Sequence, residues 1–435
     1  MHLKKLKTIR TGTARGVALG VGGLLLAAGQ PAFAQSPTVQ NLQTQIQKMQ
    51  VQIDELERDV VVPDAPGSFK LPGTDTSMKI GGYVKGDFIY DLDQDIGNAF
   101  DATVIDPNRD DDDTNFRAHA LQSRIFFSTS TPTDAGTVKT HIEGDFFTGE
   151  GNEFFSNSRG FRIRHAWGSM GGWLAGQTWS NFMQFTAYPS TVDFNGPVGV
   201  TFVRQGQLRY TMPVENGALS FSIENPEGLT LQNAQAIEGI VQQDPTANVS
   251  GSLNDKAPDV TAKFKGSFGA LGVEAAVLGR YLETDSAVAT GDDSEFGYGV
   301  MLAGSFQLTP ATRLMASAVY GDGVGRYIFV NVGEAVIDGD GDLDPIEALG
   351  FNVAVAQQWT PMFSSSLSYG RVERDLEKGM FANNLREQQT VHFSNFVKVA
   401  DPVTLGLEAI YGDIELENGN NGDAARLQAS AQYSF

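Results

Sequence analysis

The sequence predicts a membrane-spanning antiparallel β-barrel of sixteen strands, preceded by a short helical coiled coil. Three observations carry that prediction. From Met78 onward the apolar period is two, one face greasy and the other charged. About sixteen such segments follow one another, each roughly as long as a tilted membrane strand must be. Their connections alternate between tight turns and long polar loops, as in outer-membrane barrels.

The chain of 435 residues is long enough for several ordinary domains or one large β-structure. With 49 Gly and 28 Phe, and few Leu-rich helical runs after residue 60, the composition favours strands and turns. There is no cysteine, which removes disulfides, thiolate metal sites and Cys nucleophiles together.

Residues 1–34 read as a secretory signal peptide. Lys4, Lys5, Lys7, Arg10 and Arg15 form a basic start, "VALGVGGLLLAAG" is a short apolar core, and "AFA" ending at Ala34 is a small-x-small cleavage site. The apolar run is too short for a membrane helix. Loss of these five basic residues, with no acid lost, takes the formal net charge from −21 to −26. So acidic a chain is a poor partner for nucleic acid, which requires a basic surface.

Residues 36–61 follow as a coiled-coil stalk. Val39, Leu42, Ile46, Met49, Ile53, Leu56 and Val60 alternate spacings of three and four, an a/d seam flanked by Gln, Glu and Asp. The seam leans towards two strands and does not by itself fix the stoichiometry. A linker, residues 62–77, leads to the barrel domain at 78–435.

Strands are expected to begin near residues 78, 115, 136, 159, 172, 199, 217, 257, 271, 294, 312, 348, 364, 387, 402 and 424. In "ARLQASAQYSF" Leu427, Ala429, Ala431, Tyr433 and Phe435 share one face, while Arg426, Gln428, Ser430, Gln432 and Ser434 share the other. In "MKIGGYVKGDFIYDL" Ile80, Val84, Phe88 and Tyr90 oppose Lys79, Lys85 and Asp87. A large β-sandwich alternates in the same way, with a dry core on the apolar side. The signal peptide, the turn asymmetry and the terminal aromatic favour the barrel, the only sheet lipid tolerates.

If lipid takes the apolar face, the polar face lines a lumen. "GFRIRHAWG", residues 160–168, sets Arg162 and Arg164 in one phase and Phe161, Ile163 and Trp167 in the other. Lys85, Arg124, Lys139, His141, Lys263, Arg280 and Arg209 also fall on inward phases, with Arg204 at a strand edge. A guanidinium donates two parallel hydrogen bonds to a carboxylate. These groups are therefore expected to line the pore and attract anions; alternatively they pair with inward acids such as Glu143, Asp145, Glu224 or Glu274. The third long loop, "NFMQFTAYPSTVDFNGPV" at 181–198, is unusually apolar and holds one acid, Asp193. Such a loop is expected to fold inward as a constriction, with Phe182, Tyr188, Asp193 and Phe194 as its notable side chains.

Other signals are weaker. "DGDGDLDPIE" alternates Asp338, Asp340, Asp342 and Asp344 but has Leu343 where a calcium loop needs Gly and Leu349 where it needs Glu. It reads as a solvated acidic loop, with loose divalent-cation binding the alternative. His119, His141, His165 and His392 sit in no nucleophile motif, so no catalytic residue and no cofactor is expected.

"GSFKLPGTDTSMKIGGYVKGDFIYD", "FRIRHAWGSMGGWLAGQTWSNF" and "VRQGQLRYT", behind a heptad stalk, resemble the DcaP-like porin family of Gram-negative outer membranes. The resemblance is clearest over the stalk and the first third of the barrel. It implies a sixteen-stranded trimeric porin in the lipid and lipopolysaccharide bilayer, a periplasmic coiled coil, an inward third loop, and a lumen favouring small dicarboxylate-like anions. It also implies that Arg162, Arg164, Arg204 and Arg209 form a basic wall, with Met183 and Gln184 in the loop. A structural anchor with a periplasmic tether and little transport is the rival reading. If residues 36–66 form only a stalk, their deletion is expected to leave single-channel conductance in a planar bilayer intact.

Overall fold

The computed structural model describes residues 67–435 except 110–112, 149–150, 153–155, 157, 227–255, 284–292, 330–332, 338–341 and 376–383. The expected signal peptide and coiled-coil seam lie outside the described residues. What is described is one antiparallel sheet closed on itself.

Sixteen strands build it. In chain order they are β1 Ser77–Asp91, β2 in two pieces (Asn115–His119 and Arg124–Thr131), β3 Val138–Asp145, β4 Arg162–Met170, β5 Trp173–Trp179, β6 Arg204–Val214, β7 Gly217–Glu224 and β8 Asp259–Phe268. Then come β9 Leu271–Glu283, β10 Ser294–Thr309, β11 Thr312–Asp322, β12 Glu347–Gln358, β13 Phe363–Asp375, β14 Leu385–Ala400, β15 Val403–Leu416 and β16 Asn421–Ser434. Each pairs with its sequence neighbours, and β16 returns to pair with β1 from Tyr83↔Ser434 to Asp91↔Arg426. A sandwich would leave edges open; here the barrel expectation holds.

Turns such as Glu215–Asn216 join strands at one end. Asn216 takes φ 62, as the two-residue turn between β6 and β7 requires. The other end carries the long connections, including 92–114, 180–203 and 323–346. Strand starts agree with the sequence expectation to within a few residues. The largest difference is β6, expected at 199 and found at 204, because residues 199–203 still belong to the loop and Thr201 bridges to Ile328.

The alternation is visible as exposure. Val84, Phe88, Leu302, Leu407 and Leu427 stand on the outer face, Leu302 at 60% exposed. Their inward neighbours Lys85, Asp87, Met301, Glu408 and Arg426 are buried. A water-soluble protein does not carry so continuous an apolar outer band, whereas hydrocarbon accepts it. Inside, the 92–114, 180–203 and 323–346 loops contribute Phe100, Phe182, Val198 and Tyr327 to an apolar core with Leu278, Met301, Val319 and Ile410 of the wall.

One inward assignment differs from the sequence expectation. In the β3–β4 ladder Glu143 pairs with His165 but Gly144 pairs with Ile163, leaving Arg164 as the extra residue of a β-bulge. The bulge shifts the phase. Arg164 and His165 are both buried, and Trp167, expected on the lipid face, instead stacks on inward His141 at 5.6 Å.

A charge on the lipid face tests the placement of the outer band. Leu302→Lys is expected to cost about 2–4 kcal/mol at mid-bilayer, measured as a lower urea midpoint in lipid vesicles, and Leu302→Ile almost nothing.

Candidate functional site

Residues 180–203 leave β5 and cross the lumen. Their apolar side chains have little reason to stay in water: Phe182, Met183, Ala187, Val192, Val198 and Val200 are all buried. Backbone groups that lose water need partners, and the wall supplies them. On one side, Lys263 Nζ donates to Met183 O (2.9 Å), Arg313 Nη2 to Thr186 O (2.8 Å), and Asn352 Nδ2 to Ala187 O (3.2 Å). Thr186 Oγ1 donates to Glu274 Oε1 (2.8 Å).

On the opposite side, Lys85 Nζ donates to Val192 O (2.5 Å) and the Val198 N–H to Thr390 Oγ1 (3.1 Å). Glu408 Oε2 accepts the Asp193 N–H (2.8 Å) and the Val192 N–H. Close approach needs small residues at the crossing. Gly199 holds φ +77, where a Cβ would lie 2.1 Å from Arg371 O, and a Cβ on Gly370 would lie 2.1 Å from Val198 O.

Asp193 completes the tether. Its carboxylate accepts the Phe100 N–H (3.0 and 3.1 Å) and pairs with Arg426 Nη1 (3.3 Å). Arg426 is held in turn by Asp91 (2.6 and 3.1 Å). Burial holds the Asp193 carboxyl above the usual carboxylate range, an effect that Arg426 offsets only in part. The same burial raises the Tyr188 phenol, which therefore stays protonated.

Across the cavity from this loop stands a group of arginines. Arg164 pairs with Glu143 (2.9 Å) and Asp145 (2.8 Å), Arg162 with Asp145 (2.9 Å), and Arg124 with Glu143 (3.3 Å). Arg204 has no ion pair to a carboxylate among the described residues. Its guanidinium lies 4.2 Å from the Trp179 ring centre and 5.7 Å from that of Phe202, and Nη1 has no hydrogen-bond partner among the described residues. Three guanidinium groups thus share two carboxylates, and the fourth, Arg204, has none among the described residues.

The loop answers with aromatic faces. Phe194 stacks on Phe147 at 4.1 Å and lies 5.4 and 5.8 Å from Arg162 and Arg164. Tyr188 stacks on Phe202 at 6.0 Å. Between wall and loop is a cavity of about 430 Å³, lined by Arg124, Arg164, Tyr188, Phe194, Phe202 and Gln432.

The expected inward residues divide into three sets. Arg124, Arg162, Arg164 and Arg204 come together. His141 sits beside them, hydrogen-bonded to Ser128 Oγ (2.7 Å). Arg209 is further down β6, in register with Leu174 and Ser222, and Lys139 is exposed near the turn end of β3. Lys85, Lys263 and Arg280 were expected to line the pore and are instead enclosed. Lys85 and Lys263 hold the loop, while Arg280, 2% exposed, binds Asp259 (3.0 Å), Glu334 (2.9 Å) and Gly323 O (2.7 Å) beneath the 323–346 loop.

Of the aromatic side chains expected in the constriction, Tyr188 and Phe194 line the cavity. Phe182 is fully buried, edge-on to Tyr327 at 5.6 Å. Asp193, expected as the loop's lone charge, turns from the arginines into the wall. Asp338 and Asp340 lie outside the described residues, and among those described no grouping of three His, Cys, Asp or Glu could hold a metal ion.

Glu408, Trp179 and Phe202 were not singled out from sequence, and Arg426 was placed on the inner phase without a role. Glu408 and Arg426 had a legible signal, a charge on the inward phase in the middle of a strand.

A family model described as a porin subfamily matches residues 60–415. The chain belongs to this porin subfamily. Its family and fold neighbours are channels rather than enzymes. The solved outer membrane channel DcaP of Acinetobacter baumannii superposes with a TM-score of 0.73 at 24% identity, covering 85% of this chain and 100% of that one. The resemblance to DcaP-like porins read from the sequence thus holds.

An anion-selective porin from Comamonas acidovorans shares the fold more distantly, at TM-score 0.51 and 12% identity over 83% of this chain and 100% of that one. Among curated proteins, porin Omp2b of Brucella suis is 30% identical over 156 residues, 35% of this chain and 38% of that protein. Porin Omp2a of Brucella ovis is 25% identical over 189 residues, 40% and 51% respectively. The chain therefore spans about half or less of the curated relatives it matches.

Removing an acceptor for two buried backbone N–H groups costs about 1–3 kcal/mol for each donor stranded. Glu408→Leu is therefore expected to lower the unfolding midpoint and add open-channel noise in single-channel records. Glu408→Gln, which keeps an acceptor oxygen, is expected to do much less.

Proposed function

We propose that this porin is a passive channel of the Gram-negative outer membrane, through which small hydrophilic solutes diffuse with a preference for anions. The observation that carries this reading is the charge balance beside the cavity, where three guanidinium groups share two carboxylates, Arg204 has none among the described residues, and the loop's one acid pairs with Arg426 instead. A pore's local ring of charge sets its selectivity, whatever the net charge of the chain. Each of Arg124, Arg164 and Arg204 carries a guanidinium able to offer paired hydrogen bonds to a carboxylate, which suits a dicarboxylate-like solute.

The returning loop supports the same reading. The 180–203 loop is the constriction we propose, with Tyr188 and Phe194 facing the arginines. Selection then follows from pore width and fixed charge, without a conformational cycle.

The expected signal peptide implies export with cleavage after Ala34. The heptad seam would then stand in the periplasm and is free to contact a partner there. A homotrimer, implied by the family resemblance, would bury a far larger interface through its barrels than through seven seam residues. The rival anchor reading draws on the apolar core formed between three loops and the wall of β9–β16, which narrows the lumen on that side. Conductance separates the two.

The reversal potential of the purified protein in a planar bilayer under a KCl gradient tests the proposal. We expect anion preference, weakened by Arg162→Ala and Arg164→Ala. Arg204→Ala should weaken it more, because this guanidinium shares no carboxylate. Cation preference would overturn the basic constriction, and absence of conductance would favour the anchor.

A further inference from the structure

Behind the 180–203 loop, the inner wall carries a row of buried polar side chains in lateral register. Asp87 of β1 is opposite His119 of β2 and Ser430 of β16. Gln428 of β16 is opposite Glu408 of β15, which is opposite Ser394 of β14. Ser394 is opposite Ser366 of β13, and His392 opposite Ser368. All but His119 are less than a tenth exposed. Two loops cover the row: the 180–203 loop puts the Val192 and Asp193 N–H groups on Glu408, and the 92–114 loop puts the Phe100 ring 6.4 Å from that of His392.

Most members of this row have an atom with no partner among the described residues. These are Asp87 Oδ2, His119 Nδ1, Gln428 Oε1, His392 Nε2, and the hydroxyls of Ser394, Ser368 and Ser366. Isolated orphans of this kind are rare in a folded protein, and a contiguous line of them calls for a common partner. Water is the partner whose size and bonding fit. Strands lie about 4.8 Å apart, close to the span of two hydrogen bonds of ordinary length meeting at one water. The Asp87 Oδ2 to His119 Nδ1 gap, 4.0 Å, is too long for a direct bond and right for a bridged one.

The ends of the row open into space. His119 lines a cavity of about 440 Å³ at the long-loop end, with Asp95, Asn98 and Arg117. Ser366 lines one of about 430 Å³ at the turn end, with Pro310, Gln357 and Ser364. We infer that a single file of bound water passes behind the loop from one cavity to the other, a path for water and protons that is separate from the solute path. A proton entering at one end is matched by one leaving at the other, so no wall group is consumed. The file runs past the Asp87 and Glu408 carboxylates, with Lys85 engaged by Asp87 (2.9 Å).

The chain has no cysteine, so Phe185→Cys, at an exposed loop position lining the solute cavity, offers one thiol for a bulky reagent that fills that cavity. With the solute path filled, KCl conductance should be lost while a proton current under a pH gradient persists. Adding Ser394→Val with Gln428→Leu, or the milder Ser368→Ala, should remove or reduce that current. A proton current that disappears together with KCl conductance, or that survives all three substitutions, overturns the path. A structure of the full chain that resolves water must place it on Asp87 Oδ2, His119 Nδ1 and Ser394 Oγ; apolar contacts there overturn the file itself. Anion preference is read separately by the KCl reversal potential, so either idea can fail alone.

Discussion

In hydrocarbon a backbone N–H or C=O finds no water, so a sheet can cross only if its first and last strands meet. Here β16 lies against β1 over nine residue pairs, and Phe435 and Gly82 exchange backbone hydrogen bonds of 3.1 and 3.2 Å at the seam. Closure fixes which residues face inward. Everything inside the barrel, including the loops that return into it, is built on that partition.

The interior is divided by chemistry. The wall of β9–β16 offers Leu278, Met301, Val319 and Ile410 to the returning loops and makes an apolar core with them. The wall of β1–β6 offers arginines, carboxylates and Trp179, and there the cavity remains. The apolar packing of the loops is concentrated against β9–β16, and the cavity that remains lies on the arginine side. The charged side chains Lys85, Lys263, Glu274, Glu408 and Arg426 are engaged by the loop instead of facing that cavity. Because a buried charge is costly unless paired, each is matched to an opposite charge or a backbone group.

Much of this was legible in single side chains. Period-two alternation placed Lys85, Arg124, Arg162 and Arg426 inward and Phe88, Leu427 and Tyr433 outward, since a strand has only two faces. The apolar loop at 181–198 was legible because Phe182, Tyr188 and Val192 are too greasy for a loop in water. Trp167 was misplaced because a bulge adds one residue without any mark in composition, and one residue reverses every phase after it. Arg280 and Lys263 were correctly inward, yet facing inward is not the same as facing water.

The sequence by itself determined the class of fold, the number and approximate limits of the strands, the family, and which charges lie on the inner phase. Those follow from local periodicity and from motifs that a linear chain displays. Only the tertiary structure decided which inward charges meet. Asp193 and Arg426 are 233 residues apart, and Lys85 and Val192 are 107 apart. Such pairings depend on barrel closure and on the path of the returning loop, and a local pattern carries neither.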